Sequence, residues 1–147
     1  MLTQIINGHI LTPQGWLKEG SLLISDGVIL EVTNSDLAVI GAKVIDAKGM
    51  YILPGFVSMH SHGGGGYDFT EATEEAFKGA MEAHLKHGAT SIFPTLSSSS
   101  FETINKAVDV CEKLKTENSS ILQGLHIEGP YLNRKMAGEQ WKEFLKD

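Results

Sequence analysis

Two short stretches carry the residue types that bind metal ions. The first, His60-Ser61-His62, closes an apolar run that begins after Pro54-Gly55. On a β-strand, residues i and i+2 face the same way about 6.5–7 Å apart along the backbone, so two imidazoles at this spacing can converge on one cation. Spacing alone is weak evidence, and the setting strengthens it. A strand reads from Phe56 to Met59, the histidines stand at its C-terminal end, and Gly63–Gly66 follow, a backbone able to approach a metal or substrate without Cβ clashes. This glycine run lacks the Lys-Ser/Thr of a phosphate-binding loop and does not fit a dinucleotide fingerprint. The second stretch is His126-Ile127-Glu128-Gly129-Pro130. A carboxylate at a strand end, facing the same mouth as the two imidazoles, completes a nitrogen and oxygen set that zinc, iron(II) or manganese accepts. His60, His62 and Glu128 are therefore the candidate ligands to a divalent metal. His126 is either a packed residue or one that orients a ligand. His9, His84 and His87 fall away from the strand ends and read as structural or surface residues, and Trp16 and Trp141 read as packing residues.

Such residues need parallel strands to present them together. Residues 1–50 show no helical period and read as short strands with turns between them: Leu2–Ile6, Asn7-Gly8, His9–Leu11; then Ser21–Ser25, Asp26-Gly27, Val28–Val32; then Val44-Ile45 before Lys48-Gly49. After Tyr51 the pattern changes. A buried strand from Phe56 leads to a helix over Glu71–His87 with Ala76, Phe77, Ala80, Met81 and His84 on one face and a stop at Gly88. Ala89–Leu96 is a second strand. Ser99 and Glu102 fit a capping box before a helix over about Phe101–Thr116, whose stripe is Ile104, Ala107, Val108, Cys111 and Leu114. Ile121–Glu128 is a third strand, with His126 and Glu128 on one face, and Glu139–Asp147 reads as the start of a third helix. The order β-α-β-α-β implies parallel strands with crossover helices.

The expected fold class is α/β: a small β-sandwich portion over 1–50, then the first three βα units of an incomplete (β/α)₈ barrel over 51–147. A closed barrel typically takes about 250 residues. The chain is expected to be the first part of a longer protein, with an exposed parallel sheet edge and no catalysis of its own.

Composition narrows the partners. The net charge of −6 lacks the basic surface that nucleic acid or an anionic membrane would require. No run approaches 18 apolar residues and the first 20 lack a signal-peptide pattern, so the expectation is a cytoplasmic protein. The single cysteine, Cys111, excludes an internal disulfide and, on an apolar stripe, reads as a buried inert thiol.

Several stretches resemble the opening of the amidohydrolase superfamily: Ile5-Ile6-Asn7-Gly8, Asp26-Gly27-Val28-Ile29, Val44-Ile45-Asp46-Ala47-Lys48-Gly49 and Ile52-Leu53-Pro54-Gly55-Phe56-Val57. Within that superfamily, His60-Ser61-His62-Gly63-Gly64, Gly88-Ala89-Thr90-Ser91 with Pro94-Thr95, and His126-Ile127-Glu128-Gly129-Pro130-Tyr131-Leu132-Asn133 are similar to the N-acetylglucosamine-6-phosphate deacetylases. The resemblance implies a β-sandwich beside a metal-dependent (β/α)₈ barrel, a homodimer, and an amino-sugar phosphate as substrate. It implies that Glu128 binds the catalytic metal together with two histidines from later strands. It further implies that His60 and His62 bind a further metal in members that keep them, and that an aspartate beyond residue 147 serves as general acid/base. Two departures stand out. Ser58 takes the place of an aspartate common in the superfamily. Gly138-Glu139-Gln140 takes the place of a Gly-Ala-His whose histidine contacts the sugar, which makes Glu139 and Gln140 the candidate substrate residues. The rival readings are another amidohydrolase, dihydroorotase-like or deaminase-like, and a non-catalytic assembly protein of the same fold.

Overall fold

The computed structural model describes residues 1–34, 39–117 and 121–146. It is a mixed α/β protein with two compact units, Met1–Pro54 and Gly55–Asp147.

The first unit is one five-stranded sheet. Strand β1 (Leu2–Thr12) lies between β2 (Gly15–Ser25), which is antiparallel to it, and two short parallel strands, β4 (Lys43–Asp46) and β5 (Tyr51–Ile52); β3 (Val28–Thr33) extends the other edge. The Asp26-Gly27 turn is a two-residue hairpin loop with both residues at positive φ, 50° and 83°. Asn7-Gly8 is not a second hairpin turn. Strand β1 runs straight through it, and the register on β2 shifts on either side of Gly8. Asn7 sits at φ 56°, and its carbonyl accepts from Gly49 N–H at 2.7 Å while its side-chain amide donates to Asp46 at 3.1 Å. A dipeptide suited to a turn serves equally as a bulge when a neighbouring loop supplies its partners. Trp16, expected to pack, is 51% exposed with its ring edge-on to Tyr51.

The second unit holds a three-stranded parallel sheet in the order β10-β9-β6: β6 is Phe56–Ser61, β9 is Ala89–Leu96 and β10 is His126–Ile127. A small antiparallel pair, β7 (Gly63–Gly64) and β8 (Tyr67–Asp68), follows β6. Helix α1 is Glu74–Lys86 and α2 is Phe101–Lys115. The core lies where the two helices meet the sheet: Phe69, Phe77 and Ala80 pack with Ile92, Leu96, Ile104, Ala107, Leu114 and Leu122. Cys111 is buried in the same core, and burial pushes its thiol pKa up.

Four expectations are corrected here. Strand β6 is not buried: Phe56, Val57 and Met59 are exposed, because β6 is the edge of a three-stranded sheet. The cap of α2 is Ser100, whose hydroxyl accepts from Thr103 N–H at 3.1 Å; Ser99 stands one residue too early, and Glu102 pairs with Lys106 instead. The stretch 121–128 is not a continuous strand. It pairs with β9 at Leu122 and again at His126–Ile127, and the interruption lets both Leu122 and Leu125 turn toward the core, which breaks strict alternation. Finally, no third helix begins at Glu139. A single 3₁₀ turn spans Lys142–Phe144, Asp147 lies outside the described residues, and Trp141 is exposed, stacked on Phe144.

Two ion pairs cross the surface from α1, Glu74 to Lys113 on α2 and Lys78 to Glu117 just past the end of α2. The hydrogen bond from Lys113 holds the Glu74 carboxyl below the usual carboxylate range. A depressed carboxylate pKa stabilises the fold above the ordinary value and stops doing so as pH falls through the lowered one. Lys113→Met is therefore expected to lower the urea midpoint slightly at pH 7 and to leave it unchanged at pH 2.5, with unfolding followed by circular dichroism.

Candidate metal centre

Three parallel strands end on the same side, and the polar residues gather there. Ser61 pairs with Pro94, and His126 with Thr95. Proline has no N–H to give the ladder. Near Pro94 the β6–β9 register shifts, and Ser61 N–H donates to Thr95 Oγ1 at 3.1 Å. The same hydroxyl lies 3.1 Å from His126 Nδ1, so Thr95 ties the ends of β6 and β10 together.

His60, His62 and Glu128 lie together over this edge. Their nearest atoms form a nearly equilateral triangle: His60 Nε2 to His62 Nε2 is 3.3 Å, His60 Nε2 to Glu128 Oε2 is 3.3 Å, and His62 Nε2 to Glu128 Oε2 is 3.1 Å. Bonds of about 2.0–2.1 Å at tetrahedral angles would set ligand atoms about 3.3 Å apart. Glu128 Oε2 is itself buried and makes no hydrogen bond in this structure. A buried carboxylate oxygen left without a donor is costly, and a cation at the centre of the triangle would satisfy it. The residues present fit a divalent metal. Among the described residues, this is the group of His, Cys, Asp and Glu side chains close enough to hold one.

The neighbouring side chains fix this geometry. Ser97 Oγ is 3.0 Å from His62 Nδ1, on the far side of the ring from Glu128. His84, at the last turn of α1, places Nε2 2.9 Å from Ser61 Oγ and 3.1 Å from the Gly63 carbonyl, which can only accept. His126 lies edge-on to His60 with ring centroids 5.3 Å apart. His84 is therefore a structural residue, as its helical position suggests, yet it braces the backbone of the His60-Ser61-His62 segment. That role depends on α1 folding back over the β6–β7 loop, for which the sequence holds no local signal. Ser97 and Thr95 are likewise invisible without the tertiary pairing.

Two glycines permit close approach. A Cβ on Gly63 would stand 2.0 Å from the Tyr67 carbonyl oxygen. A Cβ on Gly129 would stand 2.1 Å from Ser98 Oγ, which donates to the Glu128 carbonyl at 3.2 Å, and Gly129 has φ +104°. Gly129→Ala is expected to cost about 1–3 kcal/mol from backbone strain alone, read from urea unfolding, and to displace Glu128.

Glu139 is exposed, whereas Gln140 turns inward, its Oε1 accepting from Ser98 N–H at 2.6 Å. The structure thus brings Gln140, and not Glu139, to the loop that follows β9. Beside that loop a cleft of about 250 Å³ is lined by Asp68, Thr70, Ser97, Ser98, Ser99, Thr103, Trp141 and Phe144. A larger groove of about 570 Å³ on the sheet of the first unit, lined by His9, Trp16, Lys18, Tyr51 and Leu53, is mostly apolar and holds no set of metal ligands.

The chain is 31% identical over 144 residues to the N-acetylglucosamine-6-phosphate deacetylase of Haemophilus influenzae, a match that covers 97% of this chain and 38% of that protein. The crystal structure of the enzyme of that name from Pasteurella multocida superposes with a TM-score of 0.92 at 27% identity, covering 99% of this chain and 39% of that one. The likeness to N-acetylglucosamine-6-phosphate deacetylases extends over almost the whole of this chain. It spans about two fifths of the length of the curated relative. A dihydropyrimidinase from Brevibacillus agri is more distant, with a TM-score of 0.54 at 25% identity. No family model matches.

Proposed function

We propose that this chain carries part of the metal centre of a hydrolase that deacetylates N-acetylglucosamine 6-phosphate, giving acetate and glucosamine 6-phosphate. The observation that carries the metal reading is the triangle of two imidazole nitrogens and one buried carboxylate oxygen, each 3.1–3.3 Å from the others. The likeness to the deacetylases carries the substrate. The steep fall in TM-score from 0.92 to 0.54 favours a deacetylase over a dihydroorotase-like or deaminase-like enzyme. Retention of a complete ligand triangle speaks against a non-catalytic assembly role, which needs none.

His60, His62 and Glu128 would hold a divalent cation, and their donor set suits zinc, iron(II) or manganese. When bound, such an ion lowers the pKa of water toward neutrality and polarises the amide carbonyl. Glu128 serves as a ligand and not as the general base, since its lone pairs face the cation site. Deprotonation of water and protonation of the leaving amine fall to an aspartate of the sequence beyond residue 147. Gln140 is the substrate residue of this reading, held beside the hydroxyl-lined cleft by Ser98, whereas Glu139 is exposed.

The architecture we infer is a β-sandwich portion over 1–50 and the opening of a (β/α)₈ barrel over 51–147. The exposed apolar residues Val57 and Met59 on edge strand β6 support further strands alongside it. The whole protein is proposed to be a cytoplasmic homodimer without nucleic-acid or membrane partners. None of the described helices is long and apolar enough to cross a membrane.

The test is acetate release by the whole protein from N-acetylglucosamine 6-phosphate, from N-acetylglucosamine, and from cyclic amides such as dihydroorotate. Turnover of the phosphorylated sugar alone supports the proposal. Turnover of the cyclic amides alone assigns the chain to the rival.

A further inference from the structure

We propose that Ser97 is the positioning residue for His62, setting which ring nitrogen offers its lone pair to the metal; this rests on the metal reading above. A ligating imidazole must present a bare nitrogen, so its other nitrogen must carry the proton and benefits from an acceptor. Ser97 Oγ, 3.0 Å from His62 Nδ1, is that acceptor. With Nδ1–H donating to the hydroxyl, the Nε2 lone pair faces Glu128 Oε2, 3.1 Å away.

A serine does this differently from the carboxylates that commonly sit behind metal-binding histidines, because a hydroxyl both donates and accepts. His60 is held less firmly: its side chain is 56% exposed, and its Nδ1 has no hydrogen-bond partner among the described residues. The two histidines are therefore unequal, with His62 the pre-set ligand and His60 the adjustable one.

Ser97 is in turn fixed from behind. Its N–H donates to Thr70 Oγ1 at 3.2 Å, and Thr70 N–H donates to Asp68 Oδ1 at 2.7 Å. Asp68 and Glu71 form a capping box around the short 3₁₀ turn Phe69–Glu71, whose Phe69 is fully buried. The segment after β8 thus anchors the end of β9, and through Ser97 it reaches the metal ligand.

The experiment is a zinc titration against a chromophoric chelator for wild type, Ser97→Ala, Ser97→Thr and Thr70→Val, with ¹⁵N NMR of the histidine rings with and without zinc. Partners of this kind typically contribute about 10–100-fold to metal affinity. Ser97→Ala is expected to weaken zinc by that factor, Ser97→Thr to restore it to within a few-fold, and Thr70→Val to fall between. In the zinc-bound wild type, His62 should be the Nδ1–H tautomer. Wild-type affinity in Ser97→Ala, or an Nε2–H tautomer of His62 with zinc bound, overturns the proposal while leaving the metal reading intact. Failure of wild type to bind zinc, iron(II) or manganese overturns the metal reading and this proposal with it.

Discussion

Replacing Glu128 with alanine is expected to weaken divalent-metal binding by more than the roughly 10–100-fold that outer partners of a metal ligand supply, and to abolish any metal-dependent hydrolysis. Glu128 is the one anionic donor of the triangle; without it, two neutral imidazoles face the cation alone. Glu128→Gln separates charge from shape. The amide keeps an oxygen at the same reach but loses the negative charge, so its affinity should fall between those of alanine and wild type. Stability should move the other way. In the metal-free protein Glu128 Oε2 is buried without a hydrogen bond although the side chain as a whole is 30% exposed, and removing that oxygen relieves part of a desolvation cost. Metal-free Glu128→Ala should unfold at the same or a higher urea concentration than wild type. A residue kept only for structure would show the opposite pair of results. Isothermal titration for metal and urea unfolding for stability read the two halves independently.

Replacing Phe77 with alanine is expected to destabilise the protein by about 3–5 kcal/mol, the range for truncating a buried phenylalanine. Phe77 has no exposed surface and meets Phe69, also fully buried, edge to face at a centroid distance of 5.1 Å. The pair joins α1 to the 3₁₀ turn that anchors Ser97, so the cavity would lie beneath the scaffold of the site. Leu85 on the same helix is 49% exposed, and Leu85→Ala should cost less than about 1 kcal/mol. Comparable losses at both positions would place the stability of the second unit elsewhere than in this core. Because His84 follows Phe77 on the same helix and braces Ser61 and Gly63, Phe77→Ala should also lower metal affinity, by less than Ser97→Ala does.

What the sequence makes legible follows from how local each signal is. The apolar period of α1, with Ala76, Phe77 and Ala80 buried, and that of α2, with Ile104, Ala107, Cys111 and Leu114, are local and match the structure. Strand β9 matches from Ala89 to Leu96 because its segment is bounded on both sides, by Gly88 and by the serines. The interruption of 121–128 has no such mark. Asn7-Gly8 has two uses, bulge or turn, and only the Ala47–Gly49 loop beside it decides between them. At the site, the spacing of His60 and His62 is written in the chain. That Glu128 meets them depends on the parallel pairing of β10 with β9, and the roles of Ser97, Thr95 and His84 depend on contacts between elements distant in sequence.

The most direct measurement is anomalous X-ray scattering at the zinc edge from crystals grown with zinc. One peak is expected about 2.0–2.2 Å from each of His60 Nε2, His62 Nε2 and Glu128 Oε2. No peak at the triangle, or metal bound with Glu128 turned away from both imidazoles, would contradict the account.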